Sequence, residues 1–319
     1  MAGKRESSSL LLNNQVYPRP PRYSGGLVVF QLQQGGNGCR LSILKSEIVL
    51  FYGIILRYER KYHKMDDKVI EQYAKQDNLD IRVNIHKKYS KNKLGFNNWI
   101  FSNYQITNEV KVLELGCGTG ELWKSNSDSI DKMKQLVVTD FSKDMVKTTK
   151  SVIGNRDNVN YEIIDIQKIS FENETFDIVI ANMLLHHVNE IPKALSEVNR
   201  VLKTGGIFYC ATFGENGVVD YLASLFKDEV NQDLENKSFT LQNGKRYLSR
   251  YFNSVDTLLY DDELQVTSTD DLVKYIQSFK GISEIGSLEE KVIRKRLEVH
   301  FHKGKLIIPK EYGMFIARK

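Results

Sequence analysis

Cysteine is scarce in this chain. Its 319 residues include three, Cys39, Cys117 and Cys210, odd in number and far apart. No C-x-x-C occurs, so no zinc site, disulfide framework or cysteine-held iron–sulfur cluster is encoded, and no metal is expected. That usage fits a reducing, cytoplasmic setting. Proline is sparse as well: five in all, with Pro18, Pro20 and Pro21 crowded into the first 40 residues. Long apolar runs are missing. The longest, residues 48–56 (IVLFYGIIL), spans nine residues against the ~20 a membrane span needs. It lies too deep in the chain, without a small-residue cleavage site, for a secretory signal. A peripheral anchor is the one membrane reading left open.

A strong charge bias is lacking too. The net charge of +5 is uneven: residues 1–64 hold ten Lys/Arg and three Asp/Glu, a net of +7. Residues 65–319 hold 35 basic (45 − 10) and 37 acidic (40 − 3) residues, a net of −2. The body of the protein therefore offers no electrostatic footprint for a polyanion. The cluster Lys291, Arg294, Lys295, Arg296, Lys303 and Lys305 reads first as a solvated helix face, with RNA as the competing reading.

Residues 1–40 carry Ser, Pro and Gly punctuation and sustain no period. The patterning changes at Met65, which predicts an extension over 1–64, poorly ordered, and a folded unit over 65–319. Within that unit residues 66–104 read as two or three helices, with Leu79, Val83 and His86, then Phe96, Trp99, Ile100 and Tyr104, at helical spacing. Strands are predicted at 110–115, 135–140, 159–164, 176–182 and 207–213. Helices are predicted near 119–131, 142–152 and 190–202. Such alternation predicts a parallel, doubly wound α/β sheet. Beyond it, 254–260 reads as a strand, 270–276 and 287–300 as helices, and 311–317 as a last strand.

The most informative stretch is 110–120 (VKVLELGCGTG). A short β-branched run breaks into glycine at every second position, Gly116, Gly118 and Gly120, as a βα turn does where backbone must approach a ligand. A dinucleotide loop would place its third glycine one residue later, where Glu121 stands.

Residues 114–120 (ELGCGTG) resemble the first motif of the class I S-adenosylmethionine (SAM)-dependent methyltransferases. Residues 176–188 (FDIVIANMLLHHV) and 197–206 (EVNRVLKTGG) resemble the fourth and sixth motifs of the group that includes ubiquinone and menaquinone C-methyltransferases. The resemblance is specific from about 110 to 213. It implies a Rossmann-like seven-stranded sheet with a core at 105–213, an N-terminal helical lid at 66–104, and a substrate-covering and C-terminal segment at 214–319 that ends in an antiparallel strand.

It also implies S-adenosyl-L-methionine as cofactor, held at successive strand ends. Glu114, Gly116, Cys117, Gly118 and Gly120 form the first loop. Asp140 is placed to accept the ribose hydroxyls, and Phe141 and Met145 to flank the adenine. Asp165 and Ile166 fall beside the ring, and Asn182 on the methionyl side. Ligands in an open parallel sheet bind beyond the carboxyl ends of the strands, where these residues fall.

Transfer from a sulfonium asks mostly for positioning and exclusion of water. His186 and His187 are the candidates if a general base is used, although the pair also reads as packing at a strand end. Tyr89, Trp99 and Tyr221 are candidates for acceptor contacts, or else core residues. No Asn- or Asp-Pro-Pro-aromatic motif follows the fourth strand and no Pro-Cys occurs, which disfavours nucleobase methylation. The expected activity is methyl transfer to a small molecule. A SAM- or SAH-binding protein without turnover and an RNA-directed enzyme are the alternatives, and an NAD-dependent oxidoreductase is opposed by Glu121.

Overall fold

In the computed structural model the chain divides into two units, Met1–Tyr62 and His63–Lys319. The structure describes residues 10–12, 15–17, 76–230, 237–281 and 283–319. Of the first unit this leaves two short strands, β1 (Leu10–Leu12) and β2 (Gln15–Tyr17), paired antiparallel with Leu11 opposite Val16. The boundary expected at Met65, the apolar run at 48–56 and the part of the helical stretch 66–104 that precedes residue 76 lie outside the described residues.

In the second unit the apolar runs become strands, those at the centre of the sheet being covered on both faces. They are β3 (Lys111–Leu115), β4 (Gln135–Asp140), β5 (Val159–Ile163), β6 (Phe176–Ile180), β7 (Leu202–Phe213), β8 (Ser254–Tyr260), β9 (Glu263–Val266), β10 (Leu306–Pro309) and β11 (Tyr312–Arg318). Seven of them form one sheet in the order β5-β4-β3-β6-β7-β11-β8. The first five are parallel, and β11 runs antiparallel between β7 and β8. The chain winds outward from β3 to β5, then restarts on the other side of β3 with β6. That reversal opens a crevice at the carboxyl ends of β3 and β6.

Alternation along each strand sends successive side chains to opposite faces. Leu113, Leu115, Val179 and Phe208 pack with Ala194, Leu195 and Val198 of the helix Ile191–Val201. Val112, Leu136, Ile178 and Tyr209 pack on the other face with Ile100 and Trp123. A third cluster stands apart from the sheet. It joins Ile85 and Tyr89 of α1 (Gln76–Tyr89) to the antiparallel β9–β10 pair, the helices Thr269–Gln277 and Glu290–Glu298, and Val218 and Leu222. The helix α2 (Phe96–Ser102) packs on the sheet instead.

Two local expectations differ from the structure. The single helix near 119–131 is two short ones, α3 (Glu121–Lys124) and α4 (Ser127–Ile130), interrupted at Ser125 and Asn126. These small polar residues compete for backbone hydrogen bonds, and Asn126 Nδ2 donates to the Leu122 carbonyl at 2.7 Å. The strand expected from 207 begins at Leu202. Gly205 (φ +77°) lets it pass through an irregularity where the pairing moves from Phe176–Leu202 to Ile178–Ile207.

Candidate functional site

The turn after β3 is shaped by its glycines. Gly116, Gly118 and Gly120 have φ of +77°, +53° and +78°, a region that side chains disfavour. Their surroundings differ. A Cβ on Gly116 would lie 3.1 Å from the Leu184 side chain, and one on Gly120 3.0 Å from Thr149. A Cβ on Gly118 would meet nothing within 4 Å. Gly116 and Gly120 are thus required by packing inside the protein, whereas Gly118 faces open space above the loop.

The loop is fastened to β4. The amides of Gly116 and Cys117 both donate to the Thr139 carbonyl at 2.9 Å, and Thr139 Oγ1 donates to the Glu114 carbonyl at 2.8 Å. Asp140 then reaches across. Its Oδ2 accepts from the Gly118 amide at 3.0 Å and its Oδ1 from the Ser142 amide at 2.8 Å. Burial raises the Asp140 carboxyl above its ordinary pKa against these hydrogen bonds. Ser142 caps α5 (Lys143–Ile153), and Thr149 on that helix donates to the Gly118 carbonyl at 2.8 Å. Cys117 is buried, and burial pushes its thiol pKa up, so it is an inert thiol.

Glu114 is buried at the end of β3 and accepts from Trp123 Nε1 at 2.7 Å. Burial, helped by the nearby Asp140 charge and opposed by the Trp123 hydrogen bond, raises its pKa to about 7.

At neighbouring strand ends lie two large apolar side chains that nothing covers: Phe141, 53% exposed, and Ile163, 56% exposed. Met145 is half-buried in the first turn of α5. Asp165 follows β5, with Oδ1 accepting from the Gln167 amide at 2.8 Å, while Ile166 packs inward with Leu115 and Val179. After β6, the Asn182 amide donates to the Tyr104 hydroxyl at 2.6 Å, and its oxygen accepts from the Ala211 amide at 3.3 Å. Met183, next to it, has φ +50°, a strained conformation of the sort held at ligand sites.

The structure brings the glycine loop and Asp140 into direct contact and ranges Phe141, Asp165 and Asn182 along the same carboxyl edge. His186 and His187 follow β6, their rings 4.0 Å apart, with His186 4.7 Å from the Phe213 ring. Burial lowers the His186 pKa well below its ordinary value and that of His187 to about 4, so both stand neutral at physiological pH. The three acceptor candidates are scattered. Tyr89 is buried and donates its hydroxyl to Asp271 at 2.6 Å. Tyr221 packs against the same third cluster, and Trp99 stacks on Phe96 at 5.8 Å on the sheet.

Sequence reasoning missed Leu184 and Thr149, which close on Gly116 and Gly120, and the exposed Ile163. Ile163 sits opposite Asp140 at the end of β5, and this pairing, like the other two contacts, joins distant segments. Among the described residues no group of three or more His, Cys, Asp or Glu could hold a metal ion, and no helix is long and apolar enough to cross a membrane.

Comparison with known proteins agrees with this geometry. A methyltransferase-domain family matches residues 113–210. A malonyl-[acyl-carrier protein] O-methyltransferase of Bacillus cereus is 26% identical over 210 residues, 64% of this chain and 71% of that protein. A demethylmenaquinone methyltransferase of Leptospira interrogans is 29% identical over 201 residues, 56% of this chain and 76% of that protein. Its Staphylococcus aureus counterpart is 26% identical, and the match spans 60% of that protein's length. Among solved structures, a Bacillus halodurans C-125 chain described as a methyltransferase has the same fold, with a TM-score of 0.50 and 16% identity over 70% of this chain and 98% of that one. The motif loop, the sheet order and these relatives agree in likening residues 113–210 to the class I S-adenosylmethionine-dependent methyltransferase domains.

Proposed function

We propose that residues 65–319 bind S-adenosylmethionine at the carboxyl edge of β3 to β6 and transfer its methyl group to a small-molecule acceptor. The observation that carries this reading is the open space over Gly118, beside a carboxylate, Asp140, already oriented by the Gly118 and Ser142 amides. A Cβ there would fill a cradle that the rest of the loop is braced to keep. Asp140 suits ribose hydroxyls, the uncovered Phe141 and Ile163 suit an adenine ring, Asp165 its amino group, and Glu114 and Asn182 the methionyl arm. Bound in this cradle, S-adenosylmethionine supplies an activated methyl group with a thioether as leaving group. The residues of the chain bind it, orient it and keep water away.

A small acceptor fits the charge pattern better than RNA. Arg294 is matched by Asp270 and Glu290, each at 2.6 Å. Arg296 is matched by Asp228 and Glu229. Both arginines of the basic cluster on the Glu290–Glu298 helix are thereby matched by carboxylates. The relatives are named for malonyl-[acyl-carrier protein] and demethylmenaquinone, neither of them a nucleic acid.

Calorimetric titration with SAM, SAH and NAD tests the cofactor, with binding of the first two and not the third expected. Incubation with methyl-labelled SAM and a metabolite extract, with and without nuclease, tests turnover and acceptor class. Binding without label transfer would favour the sensor alternative, and label lost on nuclease treatment would favour RNA.

A further inference from the structure

Glu114 and Asn182, the two residues assigned above to the methionyl arm, stand at the carboxyl ends of different strands. Both are nevertheless braced by one segment, the end of α2. Trp123, which donates to Glu114, meets the Phe101 ring edge-on, with centroids 5.9 Å apart and planes at 86°. Phe101 lies 5.7 Å from the ring of Tyr104, just past the end of α2, and the Tyr104 hydroxyl accepts from Asn182. An unbroken line of contacts thus runs through Glu114, Trp123, Phe101, Tyr104 and Asn182. Residues 66–104 are expected as a lid, yet their last turn reaches the residues of the cofactor side.

The Asn182 carboxamide can face only one way. A backbone amide can only donate, so the end that meets the Ala211 N–H at 3.3 Å is Oδ1. The other end, 2.6 Å from the Tyr104 hydroxyl, is therefore Nδ2. Of the two contacts the one to Ala211 is long, and Tyr104 is the firmer anchor. The anchor is itself fixed. Its ring lies 4.7 Å from that of the fully buried Tyr209, and the next residue, Gln105, donates its backbone amide to the Tyr209 hydroxyl at 2.9 Å. Burial, opposed by the Asn182 hydrogen bond and helped by the Glu114 charge, raises the Tyr104 pKa well above its ordinary value. The hydroxyl thus stays a neutral phenol at physiological pH.

Packing accounts for the ring of Tyr104 but not for its hydroxyl, since phenylalanine would fill the same space against Phe101 and Tyr209. The hydroxyl acts on Asn182. Nδ2 carries two protons, and the bond to Tyr104 uses one of them, leaving the other for an acceptor. We propose that Tyr104 is a positioning residue for the methyl donor: its hydroxyl holds the Asn182 carboxamide in the one orientation that offers an N–H to the carboxylate of the methionyl arm. This inference rests on the cofactor reading above. Tyr104 works through Asn182 and needs no contact with the cofactor.

SAH and methylthioadenosine separate this role from a general softening of the site. They share the nucleoside and the thioether, and only SAH has the amino-acid arm. The full chain, Tyr104→Phe and Asn182→Ala are each titrated with both ligands by calorimetry. In Tyr104→Phe, SAH binding should weaken about fivefold, the size of one net hydrogen bond, while methylthioadenosine binding stays unchanged. Asn182→Ala should lose at least as much SAH affinity, and adding Tyr104→Phe to it should cost nothing further. Equal losses for the two ligands in Tyr104→Phe would show a merely structural hydroxyl and overturn the inference. An unchanged SAH affinity there overturns it as well. Should Tyr104→Phe not fold, Asn182→Ala decides: a preference for SAH kept in that variant leaves Tyr104 nothing to position. If the full chain does not bind SAH, the cofactor reading fails first and takes this inference with it; SAH binding that neither variant alters sinks the inference alone.

Discussion

Trp123 Nε1 and Glu114 Oε2 lie 2.7 Å apart beneath the glycine turn, joining the first turn of α3 to the end of β3. Both residues are buried, at 0% and 4% exposure, so this hydrogen bond forms without competition from water. It holds the helix close behind the loop and limits the paths open to Gly116–Gly120. Removing it leaves a buried carboxyl without its donor. The variant Trp123→Phe should lose about 1–3 kcal/mol of stability in urea unfolding. It should also raise the Glu114 pKa further, since the hydrogen bond is what opposes burial there.

The same carboxyl makes stability depend on pH in a definite direction. Its pKa is about 7 in the folded chain against 4.5 ordinarily, so the native state holds a proton that the unfolded chain has released. Glu114 therefore contributes its full share below pH 4.5, and that share declines as pH rises through 7. The measurement is the difference in unfolding free energy between the parent and Glu114→Gln. The variant should gain relative to the parent across this window, and the difference should flatten above it. Buried histidines such as His187, with its pKa near 4, act in the opposite sense between about 4 and 6.5, but they cancel in the comparison.

Gly118 and Gly120 should respond differently to alanine. Both have positive φ, which costs about 1 kcal/mol for a side chain. Gly120→Ala also presses on Thr149, so its melting temperature should fall more. Gly118→Ala meets no protein atom within 4 Å and should fold nearly normally. Calorimetry should nonetheless show SAH binding weakened at least about tenfold in Gly118→Ala, because the new methyl occupies ligand space. Intact binding in that variant would contradict the cradle.

Asp140→Ala addresses the cofactor from the other strand. The Gly118 and Ser142 amides would lose their acceptor, and in the proposed reading the ribose would lose its partner. Thermal stabilisation by SAH, measured in a melting assay, should vanish while the parent keeps it.

Lys310 and Asp262 form an ion pair of 2.7 Å with side chains 3% and 0% exposed. The ammonium also donates to Ser90 Oγ at 3.1 Å and lies 5.1 Å from the Tyr312 ring centre. Burial works against the Asp262 carboxyl, but hydrogen bonds from Lys310, Ser90 and the Asn92 amide outweigh it and keep its pKa low. The cluster ties the link between α1 and α2 to the turns before β9 and β11. Breaking one half of such a pair costs about 3–5 kcal/mol, so Lys310→Met should be strongly destabilised in chemical unfolding. Lys310→Met with Asp262→Asn should recover much of the loss, since no buried charge is then stranded.

Several features were legible from local pattern. The strands at 135–140 and 254–260 have the predicted limits, and β3, β5, β6 and β11 lie within two residues of theirs. Their apolar runs are short, β-branched and bounded by turn residues. Ser142, Ser268 and Gly154 mark helix ends as local chemistry requires. The antiparallel β9–β10 pair was not read. Leu264 and Ile308 are opposite each other but 44 residues apart (308 − 264), and neither short strand announces its partner.

The sequence by itself determined the alternation of strand and helix, the three glycines and the order of acidic residues at the strand ends. Those depend on periodicity and backbone freedom, which act over a few neighbouring residues. Tertiary structure decided which glycine faces open space and which faces Thr149, how Glu114 meets Trp123, and how Ser238 meets the His186 carbonyl. Those relations depend on burial and on contacts between distant segments, where removal from water sets the strength of each polar group.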